Sequence, residues 1–541
     1  MLARCSGAAL RGLEAVEVTV EVDITPGLPG LQMVGLADTA VQESRERVRA
    51  AIRNSGRKVP LTRVVVSLAP ADLRKAGPAF DLPIALGLLV ASGQLAATAI
   101  AGVWSAAELA LDGSLRPIRG MLAIAMAAQR AGARALLVPR ANAAEAALVE
   151  GLPIWPADDL RQVLEQLTPS PGAATWPAQP AADQPPPPQQ KESADLADVR
   201  GQSHGRRALE ISAAGGHHLL LVGAPGSGKT MLARRLPGLL PALSRAEALE
   251  LTRLHSVAGL LPEGAGLLQG RPFRHPHHSC TAASLIGGGA SPRPGELSLA
   301  HHGVLFLDEL AEFRRPVLDQ LREPLEEGEV WISRARQRCR FPCRITLVAA
   351  TNPCACGWYG ESDRQCSCGE GERRRYWGRL SGPLLDRIDL QVVVRRPEAC
   401  ELAGIHRKTA AAAPMEGSAP VATRVQRARA CMERRNPGGA CNAQLSAAEL
   451  AQVLNLEEEA LLLWEKALEC RRLTARGAQR VLRVARTISD LVAAPQVSPL
   501  AIAEALAYRS FDGLQSVEGR AELPPSVVGE PPLPGGCRRR D

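Results

Sequence analysis

The sequence is poor in aromatic side chains and in lysine. Aromatic residues make up 3% of the 541 positions, and only six lysines stand among the 64 basic residues. Few rings are therefore available to stack on bases, so a nucleic-acid partner would be held mainly through its phosphates. Almost all other basic residues are arginines, so each lysine, Lys229 among them, is a candidate for a specific role.

The chain also lacks a long unbroken apolar run. Its longest apolar stretch, residues 84–103, is interrupted by Gly, Ser, Gln and Thr, whereas a membrane helix needs about 20 consecutive apolar residues. No signal-peptide cleavage site is evident near the N-terminus. Thirteen cysteines, an odd number in a chain without such a signal, favour reduced thiols over a disulfide framework. These absences predict a soluble cytoplasmic protein with no membrane partner.

The length predicts three or four domains of about 150 residues each, and the patterns along the chain suggest where they lie. Valines alternate with polar residues over positions 16–24, which predicts a half-buried strand; residues 38–54 are predicted to be helical and residues 62–68 to form another strand. We expect an α/β or α+β domain over residues 1–167, a Pro-rich linker over 168–195, a second α/β domain over 196–408, a helical domain over 421–512 and a disordered tail over 516–541.

The strongest motif is HLLLVGAPGSGKT, residues 218–230, in which an apolar strand leads into a glycine-rich turn and then a helix. Backbone N–H groups of such a turn surround phosphate oxygens, and the following helix adds a favourable dipole. Lys229 would reach the β- and γ-phosphates and Thr230 would bind Mg²⁺. The predicted ATP-binding residues are Gly223, Ala224, Pro225, Gly226, Ser227, Gly228, Lys229 and Thr230, together with Asp308 below.

Polar side chains follow two further apolar strands. Asp308 and Glu309 come directly after the run from Val304 to Leu307, and Asn352 follows the run that starts at Ile345. An acid at such a strand end is expected to hold Mg²⁺, its neighbour to activate the attacking water, and the amide to position that water. These residues together predict an ATPase.

Six of the thirteen cysteines fall within residues 339–368. The pairs Cys354/Cys356 and Cys366/Cys368 lie in a predicted Gly-rich insertion, 354–368, where four thiolates could bind Zn²⁺. Free structural thiols or a redox-labile cluster are the alternatives, and Cys339 and Cys343 could instead join. Five histidines at 275, 277, 278, 301 and 302 are expected to contact backbone or a neighbouring subunit rather than a metal ion.

Basic residues concentrate in residues 331–396, which hold thirteen arginines and six acids. Residues 329–344 predict two short strands with Arg334, Arg336, Arg338 and Arg340 around the turn, all expected on one side, where they would suit a phosphate backbone. Arg373–Arg375, beside Tyr376 and Trp377, are a second candidate. A solvated face or salt bridges between subunits remain the alternative for either cluster.

These motifs resemble the AAA+ ATPases and, more narrowly, the magnesium-chelatase-like ComM/YifB family, through RPFRHPHHSCTAASLIGGG, PRPGELSLAHHGVLFLDELAEF and RLSGPLLDRIDL as well as the P-loop run. The resemblance implies a sensor-1 role for Asn352, an arginine finger at Arg387 and a sensor-2 arginine at Arg476, which Arg480 or Arg483 could replace. A finger acting between subunits implies a homo-oligomeric ring, most often a hexamer in this class. In related ring helicases a hairpin at this point grips DNA, which implies DNA contacts by Arg334 and Arg336, with Arg338 as a further contact.

The N-terminal domain resembles the S5-type α+β proteolytic domain of Lon proteases, through residues 77–86 and 114–142. The nucleophile and base positions of that family match Ala79 and Leu122 (or Met121), which cannot perform either role. The resemblance therefore implies that the domain keeps the fold but lacks peptidase activity. Binding of a protein partner is one role that the domain could have.

The motifs predict an ATP- and Mg²⁺-dependent motor that acts on single-stranded or branched DNA. The resemblance to the ComM/YifB family implies, further, helicase activity that promotes branch migration during natural transformation and recombination. The alternative is a protein-remodelling or magnesium-chelatase-type motor subunit without direct action on DNA.

Overall fold

The computed structural model describes residues 2–36, 38–168, 194–289, 292–334, 337–361, 364–396, 415–471 and 473–509. Nearly all of the predicted linker and all of the predicted tail lie outside these ranges. Within the described residues, no helix combines the length and the apolar character needed to cross a bilayer.

The N-terminal domain is built on a seven-stranded sheet of mixed direction. On β2, Val18, Val20 and Val22 are buried while the residues between them are partly exposed, which confirms the predicted half-buried strand. The strands are β1 Leu2–Arg11, β2 Glu14–Thr25, β3 Gly30–Val34, β4 Arg63–Ala69, β5 Val103–Ser105, β8 Ala135–Pro139 and β9 Ile154–Ala157, in the spatial order β3-β4-β2-β1-β5-β8-β9; β6 Glu108–Leu109 and β7 Leu115–Arg116 form a separate pair.

Helix α2 lies at the centre of this domain and is buried along its whole length. Its first residue, Asp81, carries a buried carboxylate that pairs with Arg47 (Oδ2 to Nε, 2.7 Å). Gly87 lies where the helix approaches β2, so that a Cβ there would come 2.6 Å from Val22 Cγ2. The helices of the domain are α1 Thr39–Asn54, α2 Asp81–Ala91, α3 Met121–Arg130, α4 Ala143–Ala146 and α5 Leu160–Leu167.

The second domain has a five-stranded, all-parallel sheet in the order β11-β14-β17-β10-β18. The residues of β10, β14 and β17 are buried on both faces, as expected for parallel strands covered by helices. These strands are β10 Leu219–Val222, β11 Phe273–Arg274, β14 Val304–Leu307, β17 Thr346–Thr351 and β18 Leu390–Val393; short pairs are formed by β12 Gly287–Gly288 with β13 Arg293–Pro294 and by β15 Glu329–Arg334 with β16 Gln337–Pro342.

Ten helices of the described residues accompany this sheet, and most of them are short. They are α6 Ser203–Gly215, α7 Lys229–Ala233, α8 Leu236–Leu239, α9 Arg245–Ala258, α10 Ala282–Ile286, α11 Glu296–Leu299, α12 Arg315–Asp319, α13 Arg322–Glu327, α14 Glu370–Trp377 and α15 Gly382–Leu385.

The C-terminal helices pack on α6 and share one apolar core with the sheet. A buried polar chain reinforces this contact: Arg480 Nη1 donates to Asp389 Oδ1 (2.6 Å), and Asp389 Oδ2 contacts His217 Nδ1 (3.1 Å). Burial opposes ionisation of Asp389, but Arg480 and His217 hold the pKa of Asp389 far below its usual range. The helices are α16 Ser418–Arg435, α17 Ala447–Val453, α18 Glu458–Arg471, α19 Ala475–Leu491 and α20 Pro499–Ala507.

One apolar core also joins the N-terminal domain to the second domain. Helix α3 packs against α9, where Ser256 Oγ donates to the buried carboxylate of Glu145 and the Ser256 carbonyl accepts from Gly120 N (3.1 Å). At the turn between β1 and β2, a Cβ on Gly12 would come 3.2 Å from Cys339 Cβ of the β15–β16 hairpin. The two domains therefore meet at α9 and at that hairpin.

Gly87→Ala should destabilise the N-terminal domain, because the added methyl group would overlap Val22 within a fully buried helix. We expect a loss of about 2 kcal/mol, which lowers the melting temperature by roughly 4–8 °C for a domain of this size. Gly30→Ala is the matched control, since its methyl group would meet nothing nearer than the Leu28 carbonyl oxygen at 4.0 Å. Equal melting curves for the two variants would contradict the packing described here.

Candidate functional site

The glycine-rich turn joins β10 to α7, as the motif predicts. Gly226 and Gly228 have φ angles of 76° and 93°, which glycine adopts without strain. A Cβ on Gly223 would lie 2.2 Å from the Val394 carbonyl oxygen, so glycine is required for the turn to approach the end of β18. Ser227 Oγ is buried in the turn and has no hydrogen-bond partner among the described residues. An unpaired hydroxyl in a cradle of this shape fits a bound phosphate.

Lys229 folds back over the turn. Its Nζ lies 2.6 Å from the Gly223 oxygen, 2.9 Å from the Ala224 oxygen and 3.3 Å from Asn352 Oδ1. Burial lowers the pKa of Lys229, and the nearby carboxylates of Asp308, Glu309 and Glu361 oppose this shift. The structure thus brings together the lysine and the amide that the sequence predicts on separate strands.

Thr230 and Asp308, the two predicted Mg²⁺ ligands, lie in direct contact. Thr230 Oγ1 donates to Asp308 Oδ2 at 2.8 Å, and Asp308 Oδ1 accepts from the Glu309 backbone N–H at 3.0 Å. A hydroxyl and a carboxylate this close, beside a phosphate cradle, are the hard oxygen donors that Mg²⁺ prefers.

Glu309 begins the turn after β14 in the left-handed region, with φ 52°. Its Oε2 lies 2.9 Å from His278 Nδ1. His278 was not among the residues predicted for this site. No local pattern signals its contact with Glu309, because the two residues lie 31 positions apart in the chain.

Gln202 is a second residue that sequence reasoning did not include in the site. It has a φ of 57°, and its Nε2 donates both to the Ser227 carbonyl inside the glycine-rich turn and to the Arg395 carbonyl (3.0 Å). Gln202 ties the turn to the segment that follows β18.

Arg387 and Arg476 contact a different carboxylate, that of Glu326 on α13. Arg387 Nη2 lies 2.7 Å and Arg476 Nη2 lies 3.8 Å from it, and none of the contacts of either side chain is with Lys229 or Thr230. The Arg387 side chain is 9% exposed and that of Arg476 is 62% exposed. Arg480, the alternative to Arg476, is committed to Asp389 and to the Arg387 carbonyl oxygen. The two predicted arginines thus share a location.

The four cysteines of the insertion converge. All four Sγ atoms lie within 4.8 Å of one another, and the closest pairs are 3.3 Å (Cys354 and Cys356), 3.5 Å (Cys356 and Cys366) and 3.7 Å (Cys354 and Cys366). Thiolates at about 2.3 Å from one tetrahedral Zn²⁺ would be about 3.8 Å apart. Burial raises the pKa of Cys354. Burial also opposes ionisation of Cys356, but hydrogen bonds from Trp358 N, Cys354 and Ser367 N lower its pKa. The spacing of the four sulfur atoms is what fits a metal ion.

This cysteine cluster touches the nucleotide site. A Cβ on Gly357, which lies between the two CxC pairs, would come 2.7 Å from Pro225 Cδ in the glycine-rich turn. Gly357 has a φ of 85°, so the loop depends on glycine for both its conformation and its close approach. Cys339 and Cys343 do not join the cluster; Cys339 packs near Gly12, and Cys343 Sγ lies 3.7 Å from the Pro324 oxygen.

A second group of potential metal ligands, Glu250, His301 and His302, is better explained by hydrogen bonding. His301 Nδ1 accepts from the Arg344 backbone N–H (3.0 Å), which leaves Nε2 to donate to Glu250 Oε2 (3.1 Å). His302 Nε2 contacts the same oxygen at 3.0 Å. These contacts confirm the expectation that His301 contacts backbone.

The β15–β16 hairpin confirms the two predicted strands. Arg338 pairs with Ser333 and Arg340 with Trp331, and these two arginines share the exposed face, as predicted. The side chain of Arg334 and the whole of Arg336 lie outside what the structure describes.

The exposed face of the hairpin pairs charge with a ring. The Arg338 guanidinium lies 4.2 Å from the centre of the Trp331 ring, and Arg340 pairs with Glu329. The second predicted cluster is organised differently: Tyr376 is buried with its hydroxyl 3.2 Å from Thr351 Oγ1, and Trp377 donates to the Pro353 oxygen. These two rings brace the segment around Asn352.

The chain matches three family models. One, described as magnesium chelatase, subunit ChlI, covers residues 195–402; subunit ChlI of Mg-chelatase covers residues 20–142, and the C-terminal model of that subunit covers residues 415–509. The parallel sheet and its phosphate cradle, taken with these matches, define a magnesium-chelatase-like P-loop protein. Such a relation implies the use of nucleotide and Mg²⁺ and suggests ATPase activity.

Two relatives match almost the whole chain. YifB of Escherichia coli (strain K12) is 44% identical over 509 residues, covering 94% of this chain and 96% of that protein. The competence protein ComM of Haemophilus influenzae is 42% identical over 508 residues, covering 93% and 96%. The chain therefore belongs to the ComM/YifB family, which confirms the resemblance. The magnesium-chelatase 38 kDa subunit of Cereibacter sphaeroides is 26% identical over 221 residues, 38% of this chain and 59% of that protein.

Gly357→Ala should weaken nucleotide binding, because the methyl group would overlap Pro225 and strain a left-handed residue. A displacement of the turn that costs about 1–3 kcal/mol lowers affinity by a factor of about 5 to 150. Titration with a fluorescent ADP analogue measures this. Gly369→Ala is the control, since its φ is −67° and no atom lies within 4 Å of the added methyl group. Equal affinity in both variants would show that the cysteine loop does not support the turn.

Proposed function

We propose that this protein is an ATP-dependent DNA motor. It acts as a homo-oligomeric ring, with six subunits as the expected number, and promotes branch migration on single-stranded or branched DNA during natural transformation and homologous recombination. The name of the relative ComM, a competence protein, supports the physiological part of this proposal.

The chemical part rests on four residues of the nucleotide site. Lys229 exchanges its contacts with the turn carbonyls for phosphate oxygens, and Thr230 with Asp308 holds Mg²⁺, which supplies charge neutralisation on the phosphates when bound. Glu309 accepts a proton from the attacking water after its contact with His278 opens, and Asn352 orients that water.

Arg387 and Arg476 act on the site of a neighbouring subunit. This assignment is supported by their shared location beside Glu326 and by the exposure of Arg476. Glu326 holds the Arg387 guanidinium in the isolated chain, and a phosphate of the neighbour would replace that carboxylate as partner. Two cations so placed stabilise the charge that develops during phosphoryl transfer.

The action on DNA is supported by one observation: the chain runs directly from the β15–β16 hairpin through β17 to Asn352. After β16 ends at Pro342, the chain enters β17, and β17 ends one residue before Asn352, which contacts Lys229. A change at the nucleotide is thereby transmitted along one strand to the exposed face that carries Trp331 and Arg338. This face, together with the proposed DNA contacts Arg334 and Arg336, suits a phosphate backbone.

The N-terminal domain serves as a platform rather than a protease in this proposal. Ala79, at the position of the Lon nucleophile, lines a cavity, and Met121 and Leu122 are buried at the start of α3. Neither an alanine nor these apolar side chains can act as nucleophile or base. A protein partner of this domain would fit the alternative function, in which the ring remodels proteins or acts as a chelatase-type motor without DNA.

The cysteine cluster binds Zn²⁺ in this proposal. Four thiols within 4.8 Å of one another suit a closed, four-coordinate structural site, and the loop that they close rests on Pro225 of the glycine-rich turn. The ion would act as a structural staple for the nucleotide site rather than as a catalyst.

DNA should stimulate ATP hydrolysis, and the hairpin should mediate this effect. We expect single-stranded and branched DNA to raise the ATPase rate strongly at low salt and weakly at high salt, because the contacts are to phosphates. Replacing Trp331 and Arg338 by alanine should remove most of the stimulation and leave the DNA-free rate intact. Each phosphate-contacting arginine removed should reduce the salt slope of DNA binding by about one.

Two controls accompany this experiment. Lys229→Ala provides the blank, and Arg161→Ala removes an exposed arginine of α5, far along the chain from the hairpin, without loss of stimulation. A basal rate that no DNA changes at low salt would overturn the motor proposal and favour the protein-remodelling or chelatase-type alternative.

The purified protein should contain one zinc ion per chain, measured by elemental mass spectrometry. Replacing Cys366 and Cys368 by serine should abolish the zinc and, because the loop supports Pro225, weaken binding of the ADP analogue. Cys470→Ser, which alters an exposed cysteine on α18, should retain both properties. A metal-free wild-type protein with four freely reactive thiols in the insertion would instead support the free-thiol alternative.

A further inference from the structure

A cavity of about 300 Å³ lies at the junction between the N-terminal domain and the second domain. The N-terminal domain contributes most of its wall, including β1 and the loop that contains Ala79, and the second domain contributes Val257 of α9 and Arg293 of β13. This volume is at the lower end of the range for small-molecule sites, about 300–1,000 Å³. The nucleotide site uses none of these residues.

Three arginines, Arg74, Arg119 and Arg293, line this cavity. Within the described part of the chain, none of the three takes part in a salt bridge or a side-chain hydrogen bond. The carboxylate of Asp38 acts on Arg119 through its charge only, and it accepts hydrogen bonds from the backbone N–H groups of Val41 and Gly77. Three partly solvent-exposed arginines therefore line one cavity without an ion-pair partner among the described residues.

The charges disfavour each other as long as no anion binds. Partial burial and the charge of Arg293 lower the pKa of Arg119, and Asp38 only weakly opposes this. A bound anion would remove that repulsion and gain charge-assisted hydrogen bonds, which are the strong ones for guanidinium groups. A single carboxylate would leave two of three positive charges unmatched, whereas a phosphate monoester or diphosphate matches two or three.

The rest of the lining is apolar and chemically inert. Besides the arginines it consists of glycine, proline, alanine and branched aliphatic side chains such as Leu10, Ile124 and Val257. It contains no hydroxyl, thiol, imidazole, amine or carboxylate that could serve as nucleophile, acid or base. The cavity is equipped to bind a ligand and not to transform it.

We propose that this cavity binds a small phosphorylated organic molecule of about nucleoside-monophosphate size. The phosphate contacts Arg74, Arg119 and Arg293, and the organic part packs on Leu10, Ile124 and Val257. Because Arg293 and Val257 belong to the second domain, the bound ligand holds the two domains together at this junction. The site is separate from the P-loop, and its existence does not depend on the DNA motor function.

Calorimetric titration of the full-length Lys229→Ala protein tests this proposal, since that background disables the P-loop as a phosphate site. Inorganic pyrophosphate and AMP serve as probes, and adenosine tests the need for phosphate. We expect pyrophosphate and AMP to bind, and adenosine to bind at least tenfold more weakly than AMP. Arg119→Gln with Arg293→Gln should weaken AMP binding at least tenfold.

Arg116→Gln is the matched control, because Arg116 is an exposed neighbour that pairs with Glu108 and does not line the cavity. It should bind AMP as the Lys229→Ala parent does. Melting curves establish that the double variant is folded, and Arg74→Gln provides an independent variant on the other wall. The proposal is overturned if neither pyrophosphate nor AMP binds, or if binding survives loss of the arginines. It is also overturned if only a 5′-phosphorylated oligonucleotide binds in an arginine-dependent way, which would assign the cavity to DNA ends.

Discussion

The site depends on three neighbouring parallel strands, whose carboxyl ends all lie at the same edge of the sheet. Since β10, β17 and β14 lie side by side and run in the same direction, whatever follows them must converge. Lys229 can then reach Asn352, and Thr230 can reach Asp308, although these pairs are separated by 123 and 78 residues in the chain. An antiparallel strand in either position would send its carboxyl end to the opposite edge and separate the pairs.

The same edge also receives the supporting elements. Val394, just past β18, approaches Gly223 so closely that no side chain fits between them, and Gln202 connects the turn to Arg395. The cysteine loop departs directly after Asn352 and returns against Pro225. Segments that precede and follow the turn in the sequence therefore hold the phosphate cradle in place. This support suits a turn that must keep its shape as charged ligands bind and dissociate.

Whether a feature could be predicted from the sequence depends on how far apart along the chain its interacting residues lie. The glycine-rich turn, β14 with its two acids, and the hairpin strands are specified by neighbouring residues, and the sequence analysis found each of them. Arg338 and Arg340 lie on the exposed face of the hairpin, as the alternation along β16 predicts. The His278–Glu309 contact, the convergence of Arg387 and Arg476 on Glu326 and the cavity around Arg119 join distant segments. They require the fold before they can be seen.

The junction between the first two domains carries a consequence for how the molecule can be divided. The proline-rich stretch in the sequence invites a cut there, yet a single apolar core continues from Leu122 and Ile124 across to Leu254, Val257 and Phe341. Removal of the first 167 residues would leave the apolar flank of α9 and the buried face of the hairpin open to water. Without the first domain, the remaining chain would tend to associate through that flank of α9. Its β15–β16 hairpin would also lose the packing that the first domain provides. The change in composition therefore does not mark a break in the packing. The first domain supports the β15–β16 hairpin.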